Sequence, residues 1–372
     1  MLSNKKFIAM LGGGQLGLMF TQMAQKKGEK VLVLDPDSDC PAGKIADKFI
    51  NADYLDEEAL RTIVNNCEVC TTEFENIPFK TLEILEKKIK VYPCSEALKI
   101  SQNRILEKNF LKKINIPTTE YFEIKSKKEL DRLSNISNWP YIIKTSTFGY
   151  DGKGQKIVSN FQELLNAYIE LESKDFILEK KVNLKKEVSQ VAASYGDEIF
   201  FLPISENIHI NNILHKSLVP ADINNEVNTS IRKITEKIIK NLNYKGVICI
   251  EFFIDENETI LVNEIAPRTH NSGHYSIEGC NISQFEHQVN ILSNKKSEDS
   301  ILISPAVMIN LLGELWNENA PDFNAIQDGN VHIHLYNKTI AKKGRKMGHV
   351  TIINDSLKSA NDIADQLFKS LN

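Results

Sequence analysis

No run of about eighteen apolar residues interrupts this chain, so nothing in it reads as a membrane-spanning helix. Tryptophan is scarce, at two residues, and no internal repeat or low-complexity segment is present. Six cysteines in 372 residues are too few and too scattered for a disulfide-stapled fold. The charge is nearly balanced, at -4, which supplies no general attraction for nucleic acid. The opening Met1-Leu2-Ser3-Asn4-Lys5-Lys6 leads straight into an apolar run and lacks a signal-peptide cleavage pattern, so a cytoplasmic protein is expected. What remains is an ordinary globular composition, 42% hydrophobic and 25% charged, long enough for two or three domains. Cys67 and Cys70 form a C-x-x-C, but no second pair matches it, and a pair of structural thiols is expected rather than a metal or redox site.

The first chemical signal is Gly12-Gly13-Gly14-Gln15-Leu16-Gly17, between the apolar run Phe7 to Leu11 and a helical pattern from Leu18 to Lys27. Val31 to Leu34 and Asp35 complete a βαβ unit that matches G-x-G-x-x-G with an acidic residue about twenty positions on. A dinucleotide is one reading. The turn itself needs only a phosphate near backbone amides at a helix start, so a nucleotide monophosphate fits as well. The alternation of strands and helices continues to Val91-Tyr92-Pro93, with Glu73 and Glu75 just past the strand Glu68 to Phe74, where open α/β sheets bind ligands. One helix is expected over 95–113.

Further on, Tyr141 to Lys144 and Gln155 to Val158 read as two strands of a hairpin whose tip is Gly149-Tyr150-Asp151-Gly152-Lys153-Gly154. Three glycines expose amides suited to closing over phosphates, and Lys144 ends the preceding strand. Gln155 stands where a Walker A loop has its lysine, so this is a different phosphate loop. The connector Glu179 to Val182 follows a strand, and Glu187 is expected to begin the next one.

Val247 to Ile254 and Thr259 to Glu264 flank a turn of Asp255 to Glu258. A two-residue loop sets Glu251 opposite Glu264, and a loop two residues longer makes them diagonal neighbours. Either register puts two carboxylates on one sheet face within roughly 5–8 Å. Their repulsion asks for a cation, and magnesium is the oxygen-seeking ion that accepts one or two carboxylates with substrate phosphates. The stretch Asn263 to His274 then gathers a carboxylate, carboxamides, Arg268, His270 and His274 with little apolar filler, a composition that desolvates well only against a polar ligand.

These motifs together resemble the ATP-grasp fold. Within it, Gly12 to Gly17, Thr72-Glu73-Phe74-Glu75-Asn76, Gly149 to Gln155 and Asn263 to His274 are similar to the N5-carboxyaminoimidazole ribonucleotide synthetases. So are Ser283 to Glu286, Asn310 to Gly313 and Gly344 to His349. The resemblance spans essentially the whole chain. It implies a mixed α/β and α+β fold: a Rossmann-like domain over 1–95, an ATP-grasp domain over 96–295 with a lid at about 116–182, and a small β-rich domain over 296–372. It implies an ATP-dependent ligase that carboxylates aminoimidazole ribonucleotide with bicarbonate, in purine biosynthesis, as a homodimer.

By the same resemblance, ATP meets Arg104, Lys144, the lid Gly149, Tyr150, Asp151, Gly152, Lys153, Gly154 and Gln155, the connector Glu179, Lys180, Lys181 and Val182, then Glu187, His209, Asn263 and Glu264. Glu251 and Glu264 hold Mg2+. Gly14, Gln15 and Leu16 take the substrate phosphate with Lys338 and Arg345, and Glu73 joins them on the substrate side. Tyr150, Asp151, Arg268, His270 and Asn271 line the aminoimidazole and bicarbonate side, with His270 or Asp151 accepting the amine proton. Asn212 and Asn337 stand where the family often has glycine, and asparagine is expected to tolerate that backbone. The Ala192-Ala193-Ser194 stretch lacks an arginine often found there. Two other readings remain open: a different ATP-grasp ligase, such as a formate-using transformylase or a biotin-carboxylase-like enzyme, and a non-catalytic NAD or nucleotide-binding module.

Overall fold

Val31–Asp35 is buried at every residue, as a central strand of a parallel sheet requires. The computed structural model of the chain describes residues 6–147, 154–316, 321–323 and 329–371. The parallel sheet runs Lys48–Asn51, Val31–Asp35, Phe7–Leu11, Cys67–Thr72, Lys90–Val91 in spatial order. One face carries Gln15–Lys26, and across that helix lies Gln284–Leu292, which contributes Phe285, Val289 and Leu292 to the same core. Each such fully buried side chain is worth about 1.5–3 kcal/mol of apolar burial. Cys67 and Cys70 are buried, free thiols in this sheet, and burial raises both above the ordinary thiol range.

A four-stranded antiparallel sheet follows, ordered Tyr121–Ile124, Phe176–Lys180, Tyr141–Thr145, Gln155–Val158, around its own core of Ile124, Tyr141, Ile143, Phe176 and Leu178. Among the described residues the largest sheet has nine strands. It begins with Ile260–Ala266, Gly246–Asp255 and Leu184–Ser194, and continues through Ser205–Ile210 and Ile213–Val219. The strands of the tail do not form a sheet of their own. Ala306–Leu312 pairs antiparallel with Ile213–Val219, so the tail extends the central sheet, with Leu357–Leu371 closing a separate core against it.

Two expectations need correction. The helix expected over 95–113 is two helices, Ser95–Ser101 and Arg104–Lys113, because Asn103 leaves helical geometry and its side chain caps Ile105 and Leu106 N–H. Arg104 therefore opens a helix. Glu187 lies inside Leu184–Ser194 rather than at its start.

Candidate active site

The glycine turn is filled from within. Glu73 accepts from Gly14 N–H and, at 3.3 Å, from Leu16 N–H, while Asp35 accepts from Gly13 N–H at 2.6 Å and from Tyr54 OH at 3.1 Å. A Cβ on Gly14 would stand 2.2 Å from Glu73 Oε1, so the glycine is required by a carboxylate of this chain. Burial pushes the Glu73 carboxyl up to about 7 against the pull of the Gly14 amide. A dinucleotide would need Asp35 and these amides free, which removes the support for the NAD reading. Gln15 remains available through its side chain, which receives Lys338 Nζ at 2.7 Å.

The lid sheet brings Lys144 to the cleft. Strand pairing sets Tyr141–Thr145 against Phe176–Lys180, and Lys144 Nζ lies 2.8 Å from Glu179 Oε2, both side chains almost wholly buried. Burial opposes ionisation of Glu179, but Lys108 and Lys144 outweigh it and hold the carboxyl down at about 2. Gly149, Tyr150, Asp151, Gly152 and Lys153 lie outside the described residues. Gly154 takes φ +70°, and Gln155, Lys180, Lys181 and Val182 line the cavity. Glu187 and His209, on neighbouring strands, pair at 2.6 Å.

The carboxylate hairpin takes neither expected loop. Asp255 N–H bonds Thr259 O at 3.1 Å, and Glu256 to Glu258 form the turn, with Glu258 at φ 63°. That register pairs Phe253 with Leu261 and Phe252 with Val262. Continued unbroken, it would set Glu251 against Asn263 and turn Glu264 to the opposite face. A bulge at Asn263 intervenes, and Glu251 pairs with Glu264 after all. Burial and then the neighbouring Glu264 charge push Glu251 up to about 7. Asn263 Nδ2 sits 3.4 Å from Glu251 Oε2, and Arg104 Nη1 lies 3.8 Å from Glu264 Oε2. Two facing carboxylates, one resisting ionisation, form a donor set that fits a hard divalent cation.

On the other side of the cavity, Arg268 is tied to Glu75, an ion pair that joins the parallel sheet to the central one. Burial opposes the Glu75 charge, and Arg268 prevails and lowers its carboxyl. His270 Nδ1 accepts from Ser272 N–H at 3.3 Å, so Nε2 carries the proton and points to Glu251 Oε1 at 3.3 Å. In that tautomer Nε2 donates rather than accepts. Burial, with Arg268 beside it, keeps the ring well below its usual pKa. The Asn271 carboxamide is buried with neither atom bonded among the described residues. Lys338, Arg345 and Lys346 close the cavity near Gln15, and the whole space measures about 1040 Å3.

Sequence reasoning missed Glu107 and Lys108, which are 2% and 1% exposed beneath this hairpin. The available signal was a lysine three residues after Ile105 and three before Leu111, on the apolar stripe of its helix.

A separate four-stranded sheet and a carboxylate hairpin lining one polar cleft define an ATP-grasp enzyme. Residues 109–285 match the family model for the ATP-grasp domain, 5–102 that for the ribonucleotide synthetase preATP-grasp domain, and 306–363 that for the phosphoribosylaminoimidazole carboxylase C-terminal domain. An N5-carboxyaminoimidazole ribonucleotide synthase from Staphylococcus aureus (strain COL) is 40% identical over 94% of this chain and 93% of its own length. The crystal structure of a Staphylococcus aureus N5-carboxyaminoimidazole synthetase complexed with ADP superimposes with a TM-score of 0.91 at 38% identity, covering 99% of this chain and 97% of that one. The Aspergillus clavatus synthase in complex with ADP and 5-aminoimidazole ribonucleotide gives 0.89 at 29% identity, covering 99% of each chain. The chain belongs to the N5-carboxyaminoimidazole ribonucleotide synthase family. It is therefore a ligase of the ATP-grasp type, and no helix among its described residues is long and apolar enough to cross a membrane.

Proposed function

We propose that this chain carboxylates the amine of 5-aminoimidazole ribonucleotide, consuming ATP and bicarbonate. The observation that carries the reading is the hairpin in which a bulge turns Glu264 toward Glu251, in the cavity that Lys144, Arg268 and Asn271 also line. A bicarbonate oxygen attacks the γ-phosphorus of ATP, the bond to the β–γ bridging oxygen breaks, and ADP and carboxyphosphate result. The substrate amine then attacks the carboxyl carbon and expels phosphate. Glu251 and Glu264 would hold Mg2+, which when bound supplies charge neutralisation for the phosphates. Lys144 reaches the same phosphates from the lid. Arg104, Glu187, His209 and the Glu179 to Val182 connector frame the nucleotide, and the lid 149–155 excludes water from the short-lived acyl phosphate.

Arg268, pinned by Glu75, orients the bicarbonate, and Asn271 offers its unpaired carboxamide to the imidazole. Lys338 and Arg345 take the ribonucleotide phosphate beside Gln15, because Glu73 already caps the Gly14 and Leu16 amides. His270 orients Glu251 through Nε2–H, and we assign the amine proton to Asp151. We place the reaction in the cytoplasm and the chain in a homodimer, as the family reading implies.

The test is ADP release with the ribonucleotide present, with and without bicarbonate. Release that requires bicarbonate is expected. Release that ignores bicarbonate but requires formate would move the assignment to the transformylase class, and NADH binding without ATP turnover would overturn it.

A further inference from the structure

The bulge at Asn263 is held from below. Bulges leave ladder groups out of register, and buried carbonyls need donors from elsewhere. Lys108, on the helix Arg104–Lys113, supplies them: Nζ bonds Asn263 O at 3.0 Å, Val262 O at 3.3 Å and Thr118 Oγ1 at 2.7 Å. These carbonyls flank the register shift itself. Thr118 Oγ1 donates in turn to Val262 O at 2.8 Å, and Glu107 Oε1 takes Ile265 N–H at 2.7 Å, two residues past the bulge. An ammonium has three donors and no acceptor, which matches three convergent oxygens. Neither Glu107 nor Lys108 lines the cavity, so neither is placed to touch a nucleotide.

We propose that Lys108 is a positioning residue for the cation site, fixing the bulge that turns Glu264 onto the face of Glu251. The inference rests on reading that carboxylate pair as the metal site. With an apolar side chain at 108 Asn263 O loses the ammonium and Val262 O keeps only Thr118, and the hairpin regains a fully paired ladder by drawing Asn263 into register. That slip sends Glu264 to the other face.

The experiment is Mn2+ binding to the full chain in the presence of ADP, followed by electron paramagnetic resonance. Lys108→Met is expected to weaken Mn2+ at least tenfold while KM for the ribonucleotide stays within twofold, a split that general loosening of the fold would not give. Unchanged Mn2+ affinity in folded Lys108→Met overturns the proposal. Glu264→Gln is run beside it: if that variant also binds Mn2+ as the parent does, the carboxylate reading itself has failed. Should Lys108→Met not fold, Thr118→Val carries the test. It removes one of the three oxygens and the second donor to Val262, and about threefold weaker Mn2+ binding is expected. Unchanged affinity there overturns the proposal equally.

Discussion

Glu179 and Glu251 face the same cavity from different sheets, and burial alone would order them wrongly. The Glu179 side chain is 3% exposed and the Glu251 side chain 21%, yet Glu179 is held near 2 and Glu251 is pushed up to about 7. Counter-charge decides the order. Glu179 has the Lys108 charge and Lys144 at 2.8 Å, whereas Glu251 has the Glu264 carboxylate across the ladder. The first site is balanced within the fold and ties together two strands of the four-stranded sheet. The second is left unbalanced, and that imbalance is what the proposed cation would relieve.

The strongest way to break this comparison is Glu264→Gln. If the pair holds a cation as proposed, this change should cut ADP formation by more than about a thousandfold, the scale of removing a main electrostatic stabiliser. The same change removes the repulsion on Glu251, so thermal unfolding in chelator should show equal or higher stability, by about 1 kcal/mol, as expected where a functional site carries strain. Retained magnesium-dependent turnover would sink the metal assignment.

Next in size is Lys144→Met. It strands Glu179 among buried groups, a change that typically costs about 3–5 kcal/mol, of which Lys108 should recover part. Urea unfolding at neutral pH measures it. A loss below about 1 kcal/mol would mean that the pair is not the balanced site described here.

The pH dependence separates the sites further. The folded Glu179 carboxyl is depressed, so its stabilisation is full above the ordinary carboxylate range and is lost as pH falls through about 2. From the unfolded value near 4.5 this amounts to roughly 3 kcal/mol at most. Glu179→Gln should therefore flatten the acid limb of a stability–pH curve between about 4.5 and 2. An unchanged limb would place the acid sensitivity elsewhere.

Much of this site was legible in sequence because periodicity and residue chemistry agreed. Lys144 at a strand end, and two carboxylates flanking a turn, announce themselves. The mechanism of their approach was not legible. A register is set by the turn and by any bulge, and the bulge at Asn263 depends on Lys108, a residue 155 positions away in sequence. The glycine turn was misleading for a related reason. G-x-G-x-x-G reports that something anionic approaches closely, and here that anion is Glu73 of the same chain. The break at Asn103 was missed because a single capping side chain interrupts an otherwise continuous helical pattern.

Asn337→Gly should have the smallest effect and marks the baseline for the others. Asn337 is exposed and sits at φ 53°, and Asn212 at φ 62°, so both asparagines occupy left-handed backbone. Glycine there would relieve the residual cost of that conformation, which asparagine already tolerates better than other residues. It would also free the unfolded chain, which costs about 0.4–1 kcal/mol. The two terms oppose each other, so calorimetry should find a net change within about 0.5 kcal/mol. Ribonucleotide KM should stay as it was, since Lys338 keeps its bonds to Gln15 and Lys346 O. Asn337→Ala has no such compensation, because alanine pays the left-handed penalty in full. If Gly and Ala prove alike, the backbone at 337 is not what separates these positions, and the side chain of Asn337 contributes to holding Lys338 against Gln15 and Lys346 O.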